Sequence, residues 1–394
     1  MEERVYDKDP YCRSCEGMVL WCRPAQKQGK TVYEAAFDRV LFYPEGGGQP
    51  SDTGTAGEAR VLEAHQREGQ VVCTLDRPLE PGSQAVQVLD WDRRFSHMQH
   101  HTGEHLFSGL VHRRFGYDNV GFHMGREEVT VDFDGLLTLE EAEQLEREAN
   151  QKIWENVPVR VWYPSPEELE TLEYRSKKEL DQLEGPVRMT EVPGADCCAC
   201  CGTHVGRTGE IGMIKVTGLM HYKGGVRLSL LCGGRALQDY SCGQRQLSRI
   251  SVLLSAKPEE AAEAVERLKQ SQGEGEGRFQ QLFLKYLQLK ADTLPESGAD
   301  LLVLEEGLTP VQLRRYCTML TEQHKGGLVL VCSGEGTNWK YALGSLQEDV
   351  RPANQALCKA LQGRGGGSAQ MTQGSFEADA QEIRRHFQDG MWRG

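Results

Sequence analysis

The sequence contains no apolar run near the roughly 18–20 residues needed to cross a bilayer, which excludes an ordinary transmembrane helix. The opening MEERVYDKDP is charged where a signal peptide would be apolar, so no export signal is expected. A soluble, cytoplasmic protein with no membrane partner is expected. A basic excess is also missing: 45 Lys+Arg stand against 58 Asp+Glu, a formal charge of −13. That excludes a generally sticky polyanion binder and gives no support to DNA as a partner, so any nucleic acid must meet a local basic patch. Cys12-x-x-Cys15 has no matching second pair nearby, which leaves a zinc knuckle unsupported there. Cysteine itself is plentiful. Thirteen would form a disulfide framework in a small secreted chain, but in 394 residues without an export signal they are expected as thiols or metal ligands. Five of them (Cys197, Cys198, Cys200, Cys201 and Cys232) lie within 36 residues.

The length suggests two to three domains at about 150 residues each, and 39% hydrophobic residues suffice for real cores. Residues 18–90 read as β-rich, with strand-like stretches at 18–22, 31–43, 60–75 and 85–89 between Gly, Pro and Asp, and a small barrel would bury them. From about Arg93 the pattern is helical, with Leu106, Leu110 and Val111 at helix spacing. Thr138-Leu-Glu-Glu141 matches a capping box that opens a second helix, and a third is predicted over 166–183. Strands follow at 211–216 and 226–231 around a Lys223-Gly224-Gly225 turn. Residues 243–290 read as helical, broken by the polar QSQGEGEG stretch at 270–277, as in a linker arm or helical hairpin. The last hundred residues alternate strand (301–304), helix (310–324), strand (328–332) and helix (353–361), the pattern of a small α/β domain.

Chemistry concentrates in two motifs. Ser96-His-Met-Gln-His-His-Thr-Gly-Glu-His105 sits on the helix after the barrel, where imidazoles four apart project from one face about 6 Å apart and can share one metal ion. Both His97/His101 and His101/His105 have that spacing. The second motif, Asp196-Cys-Cys-Ala-Cys-Cys-Gly-Thr-His204, places a thiolate and an imidazole within one turn of chain, a combination suited to Zn²⁺. Crowded cysteines are often just small buried residues, but this segment is polar and has no apolar run to be the core of. Two His from the helix plus Cys and His from the distant loop make a four-ligand zinc site.

The run Arg93-x-x-x-x-Met98-x-x-His101-Thr-Gly-x-His105-Leu106, followed about a hundred residues later by Cys200-x-Gly-Thr-His204-Val205, resembles the editing domain of alanyl-tRNA synthetase and, more closely, the freestanding alanyl-tRNA editing proteins of the AlaX family. Phe42-Tyr-Pro-Glu-Gly-Gly-Gly-Gln49 with Asp52-Thr-Gly54 resembles the family's glycine-rich barrel motif, and 224–236 resembles the end of its editing core. Gly365-Gly-Gly-Ser-Ala-Gln-Met371 is similar to the glycine-rich signature of the synthetase's C-terminal domain. The resemblance implies one zinc ion per chain on His101, His105, Cys200 and His204, with His97 a neighbour. Where the family commonly has Cys-Gly-Gly-Thr-His, Cys201 replaces the first glycine and is an alternative thiolate; only Cys200 keeps the i, i+4 spacing to His204. The implied fold class is α+β: an N-terminal barrel (1–92), a zinc-containing editing core (93–242), a helical linker (243–293) and a small C-terminal α/β domain (294–394).

The resemblance further implies a trans-editing hydrolase that deacylates tRNA(Ala) mischarged with serine, or with glycine, by zinc-dependent hydrolysis of the aminoacyl ester. Nothing resembles an aminoacylation core with its ATP site, so hydrolysis without synthesis is expected. Four protein ligands saturate tetrahedral zinc, whereas catalysis needs an open or expandable position. Either a ligand yields, the ion becomes five-coordinate, or the ion positions substrate while another group activates water. Glu104 is the candidate general base by position, against a plain helix carboxylate. Gly46, Gly47, Gly48 and Gln49 are candidates for a loop closing over the aminoacyl end, and Thr102 and Thr203 for substrate contacts, against an ordinary turn and structural caps. Two rival readings remain: a zinc-stapled tRNA- or partner-binding module without catalysis, and an H-x-x-E-H metalloprotease on His101-Thr-Gly-Glu-His105. The C-terminal domain would help select tRNA(Ala), and the 243–290 helices are a candidate homodimer contact. The acidic excess sits mainly at 138–184, which has 13 acids and 6 bases, while 93–114 and 207–227 each carry a local +3. That distribution allows tRNA to be met at the zinc end and repelled elsewhere.

Overall fold

The computed structural model describes residues 2–125, 128–175, 186–388 and 390. The chain forms two compact units, Met1–Ile250 and Ser251–Gly394, in a mixed α+β architecture. Among the described residues no helix is long and apolar enough to cross a membrane.

In the first unit, strands Ser14–Lys27, Lys30–Phe37, Gln70–Leu75, Ala59–Arg67, Gly54–Ala56 and Gln84–Leu89 pair in that order and close into a barrel. Their alternation is what closes it. Gln84–Leu89 buries every second residue, Ala85, Gln87 and Leu89, because successive strand side chains face opposite sides. The interior is filled by Val19, Phe37, Leu41, Phe42, Val61 and Leu75. The 60–75 stretch is a hairpin, not one strand: Glu68 and Gly69 both have positive φ (49° and 79°), the conformation that two-residue hairpin loops need to match strand twist. Lys223 and Gly224 turn the second hairpin in the same way.

The barrel leads into helix Trp91–Phe115, stopped by Gly116 in the left-handed conformation (φ 73°). Met98, Leu106, Phe107 and Val111 of this helix share a core with Leu145, Ala149 and Ile153 of helix Leu139–Trp154. The same core takes in the inner face of a four-stranded antiparallel sheet, ordered Ile214–Tyr222, Gly225–Cys232, Val129–Phe133, Asn119–Met124. Thr138 and Glu141 form the capping box at the start of the second helix. A small antiparallel sheet of Arg160–Trp162, Met189–Val192 and Asp196–Ala199 delivers the chain into residues 200–206. The helix predicted over 166–183 spans Pro166–Thr171 instead, since Arg175 turns extended and exchanges backbone hydrogen bonds with Cys197 and Ala199. Residues 176–183 of that prediction lie outside the described residues.

The second unit carries a five-stranded sheet ordered Leu301–Glu305, Val329–Glu335, Asn338–Gly344, Met371–Glu377, Arg364–Gly367. Only its first pair is parallel, so the alternating pattern read from sequence overlooked three antiparallel strands. Helix Ala261–Asp292 runs without a break through the QSQGEGEG stretch, contrary to the sequence expectation. Each glycine costs a helix about 1 kcal/mol, but stopping and renucleating would cost more. Hydrogen-bonded i, i+4 pairs Gln270–Glu274 and Glu276–Gln280 span the stretch. The interruption falls earlier, where Ser255 has φ 50° and a single turn at Pro258–Glu260 precedes the helix.

Candidate metal centre

Helix spacing puts His101 and His105 one above the other, with ring centroids 5.3 Å apart. The loop after Ala199 brings Cys200 and His204 against them. One donor atom from each of these four residues lies within 4.8 Å of every other. Cys200 Sγ is 3.4 Å from both His101 Nε2 and His204 Nε2. The three histidines are buried and Cys200 is half-buried as a residue, so the chain at Cys200 is the most accessible part of the group. The exposed Cys201 is not among these four, and neither is His97. His100, also outside the group, uses Nδ1 on Ser96 O (2.7 Å) and accepts from the Cys232 N–H at Nε2 (3.1 Å), which makes it a structural imidazole.

Each clustered imidazole has its far nitrogen held. His105 Nδ1 donates to Asp196 Oδ2 at 2.9 Å. His101 Nδ1 donates to Gln49 Oε1 at 2.8 Å, and the Gln49 amide is oriented by donating to Thr203 Oγ1 (2.9 Å) and accepting from the Thr203 N–H (3.2 Å). His204 Nδ1 lies 3.2 Å from Thr102 Oγ1, which also accepts from the Val205 N–H (3.1 Å). With every Nδ1 so occupied, the three Nε2 atoms are left facing Cys200. This is the tautomer a metal-binding imidazole needs, fixed by partners that keep it in place.

Gln49, Thr102 and Thr203 are therefore buried behind the histidines with their polar atoms engaged. Gly47 and Gly48 have φ of 59° and 83° in a tight turn closed by paired Gly46–Gln49 backbone hydrogen bonds. A Cβ on Gly48 would come 2.5 Å from Phe122 O, so the turn accepts no side chain there, and its geometry aims Gln49 at His101. Asp52 fastens this loop to the helix through a buried pair with Arg94, Nη2–Oδ2 2.5 Å. Glu104 is buried, its Oε1 accepting from Ser108 (2.7 Å) and from Asn119.

The supports that sequence reasoning missed are Asp196, Arg175 and Arg188. Arg175 grips Asp196 through Nε–Oδ1 (2.7 Å) and Nη2–Oδ2 (2.9 Å). Arg188 donates to Cys200 O (3.0 Å) and Gly202 O (2.9 Å). Only Asp196 carried a signal, as the carboxylate opening the cysteine run. Burial works against the Cys200 thiolate, but the surrounding imidazoles outweigh it and hold the thiol well below its usual range. Burial likewise opposes charge on His105, yet the Cys200 thiolate and the Asp196 carboxylate raise it well above an ordinary histidine. His204 is pushed down to about 3 by burial. A thiolate that draws a proton onto a neighbouring imidazole is a site where a divalent cation would take that proton's place. Three nitrogens and one sulfur, buried and pre-oriented, fit zinc.

A family model described as "Threonyl and Alanyl tRNA synthetase second additional domain" matches residues 187–229, the stretch containing Cys200 and His204. Alanyl-tRNA editing protein Aarsd1-B of Xenopus laevis is 36% identical over 275 residues, 67% of this chain and 66% of that protein. Alanyl-tRNA editing protein AlaX-L of Pyrococcus horikoshii is 26% identical over 411 residues, covering 97% of this chain and 96% of that protein. The C-Ala domain of Aquifex aeolicus alanyl-tRNA synthetase is matched over 24% of this chain and 87% of that one at 22% identity, with a TM-score of 0.21, too low to bear on the fold. The match to the Xenopus protein thus spans about two thirds of its length, and the match to AlaX-L reaches nearly end to end. On these similarities the chain belongs to the alanyl-tRNA editing protein family.

Proposed function

We propose that this protein is a trans-editing hydrolase that removes serine from mischarged tRNA(Ala) and carries out no aminoacylation. The observation that carries the reading is the set of three imidazoles whose Nδ1 atoms are all held, leaving Nε2 atoms turned toward a thiolate. One zinc ion on His101, His105, Cys200 and His204 would supply Lewis-acid polarisation of the aminoacyl ester carbonyl. The protein's own part is to orient and to exclude. Gln49, Asp196 and Thr102 lock the donor rings, and Arg188 fixes the carbonyls on either side of Cys201. Cys200, the least buried residue of the four, lies on the side from which the aminoacyl end approaches, with the Gly46–Gly48 turn as the wall and Gly47, which has open space where a Cβ would stand, as its bare point. Thr102 and Thr203 enter the proposal as ring and amide supports. Glu104 enters it as a support of the helix, its Oε1 accepting from both Ser108 and Asn119. The C-terminal unit would contribute selection of tRNA(Ala), and the helices at 243–290 a homodimer contact.

The decisive experiment compares deacylation of Ser-tRNA(Ala) and Ala-tRNA(Ala) by wild type, His101→Ala, Cys200→Ala and Cys201→Ala. Serine release should be abolished in the first two variants and kept in the third, with Ala-tRNA(Ala) spared throughout. Unchanged serine release in both His101→Ala and Cys200→Ala would refute the site. Tight tRNA binding without turnover by wild type would favour the non-catalytic binding module, and peptide hydrolysis would favour the protease.

A further inference from the structure

The four clustered donors come from two separate pieces of chain, the Trp91–Phe115 helix and the 200–206 loop, which meet directly through Thr102 and are bridged by Gln49. A further segment, residues 7–11, also touches both. Toward the loop, the Asp7 carboxylate pairs with Arg188 (Oδ1–Nε 2.8 Å), the side chain that donates to the Cys200 and Gly202 carbonyls. At the far end of the same loop, the Tyr11 hydroxyl accepts from the Gly206 N–H (2.6 Å) and donates to Glu210 Oε2 (2.5 Å). Cys200 and His204 thus lie between two anchor points supplied by one short segment.

Toward the helix, the Pro10 carbonyl accepts from Arg94 Nη1 (2.9 Å), and the Tyr11 ring packs on Trp91 with centroids 5.9 Å apart. Trp91 in turn stacks on Phe95 (5.4 Å), and the Arg13 guanidinium lies 4.2 Å above its ring. Tyr163 steadies the other end by donating to Asp7 Oδ2 (2.6 Å). Burial and the Glu210 bond both push the Tyr11 phenol up, so its proton stays in place across the working pH range.

We propose that Asp7 to Tyr11 act as a strut that sets the distance between the helix pair (His101, His105) and the loop pair (Cys200, His204), so that Asp7 and Tyr11 are positioning residues for the metal centre. The inference rests on the zinc reading given under Proposed function. Neither residue is itself a donor to the ion, and no motif in the sequence marks them. Partners bonded directly to a ligand alter metal affinity by about 10–100-fold when removed, and Asp7 and Tyr11, one contact further out, are expected at the lower end of that range.

The test uses the full-length protein carrying Tyr11→Phe, which keeps the ring against Trp91 and deletes only the hydroxyl, or Asp7→Asn. Zinc affinity is read by competition with a chromophoric chelator, and the donor geometry by the thiolate-to-metal and ligand-field bands of the cobalt-substituted protein. Each variant is expected to bind zinc about tenfold more weakly and to shift the cobalt spectrum. Wild-type affinity together with a wild-type cobalt spectrum in both variants would overturn the strut, whatever their thermal midpoints. If wild type itself bound no zinc, the metal reading would fail separately. Amide exchange over 200–206 would then decide the strut alone: faster exchange in Tyr11→Phe supports it, and unchanged exchange overturns it.

Discussion

Replacing Asp196 by asparagine perturbs two things that can be measured apart. The Asp196 side chain is 2% exposed, accepts from His105 Nδ1 at 2.9 Å and is gripped by Arg175 at 2.7 and 2.9 Å. Asparagine keeps the shape but removes the charge, leaving a largely buried Arg175 guanidinium without its counterion. Breaking such a pair from one side costs about 3–5 kcal/mol of folding stability. The His105 ring also exchanges a charged acceptor for at best a neutral amide oxygen, which holds its tautomer less firmly and should weaken zinc binding by about 10–100-fold. The two effects part company in the double variant Asp196→Asn/Arg175→Met. Without the stranded cation, much of the folding stability should return, while the zinc defect should stay, since His105 still lacks its carboxylate. Urea unfolding of the metal-free proteins reads the first effect, and chelator competition reads the second. Wild-type zinc affinity in Asp196→Asn would refute the assignment, leaving Asp196 a purely structural ion-pair partner.

Two further perturbations test the same geometry. A Cβ on Gly202 would stand 2.1 Å from His101 Cε1 and 2.3 Å from its Nδ1, so Gly202→Ala must displace that ring; zinc binding should fall by at least about tenfold in the chelator assay, and full affinity would show that the loop does not press on His101. His97 and His100 are held neutral chiefly by burial, with pKa values pushed down to about 3 and about 4. Because the unfolded chain protonates near 6.5 and the folded one does not, stability present above that pH is lost as pH falls toward those values, by up to about 2 kcal/mol apiece at pH 5. Denaturant midpoints of the metal-free protein at pH 7.5 and 5.0 should therefore converge in His97→Gln relative to wild type; an unchanged gap would show that His97 is not among the groups responsible.

Local chemistry was legible wherever a short stretch decides its own conformation. His101 and His105 share a face because the helix repeats every 3.6 residues, and Thr138 caps its helix through Glu141, three residues away. The Lys223-Gly224 turn is visible for the same reason. Reading failed where a local preference met a longer-range one. Three glycines at 273, 275 and 277 signalled a break, yet the helix continues across them. In the C-terminal sheet the strands Asn338–Gly344, Arg364–Gly367 and Met371–Glu377 went unread; Arg364–Gly367 is four residues, three of them glycine, and carries no strand signal of its own.

By itself, then, the sequence determined the two ligand-type motifs, the helix and turns that present them, and the acidic balance that leaves basic charge beside them. It also held two readings of the histidine register, His97/His101 and His101/His105, that spacing alone could not separate. Only the tertiary structure decided which nitrogens face inward, because each deciding partner is remote in sequence: Gln49 for His101, Thr102 for His204, Asp196 for His105. The same holds for residues 7–11, which reach the loop nearly two hundred residues away. A tautomer depends on one hydrogen bond made after the chain has packed, and no local pattern of residues records it.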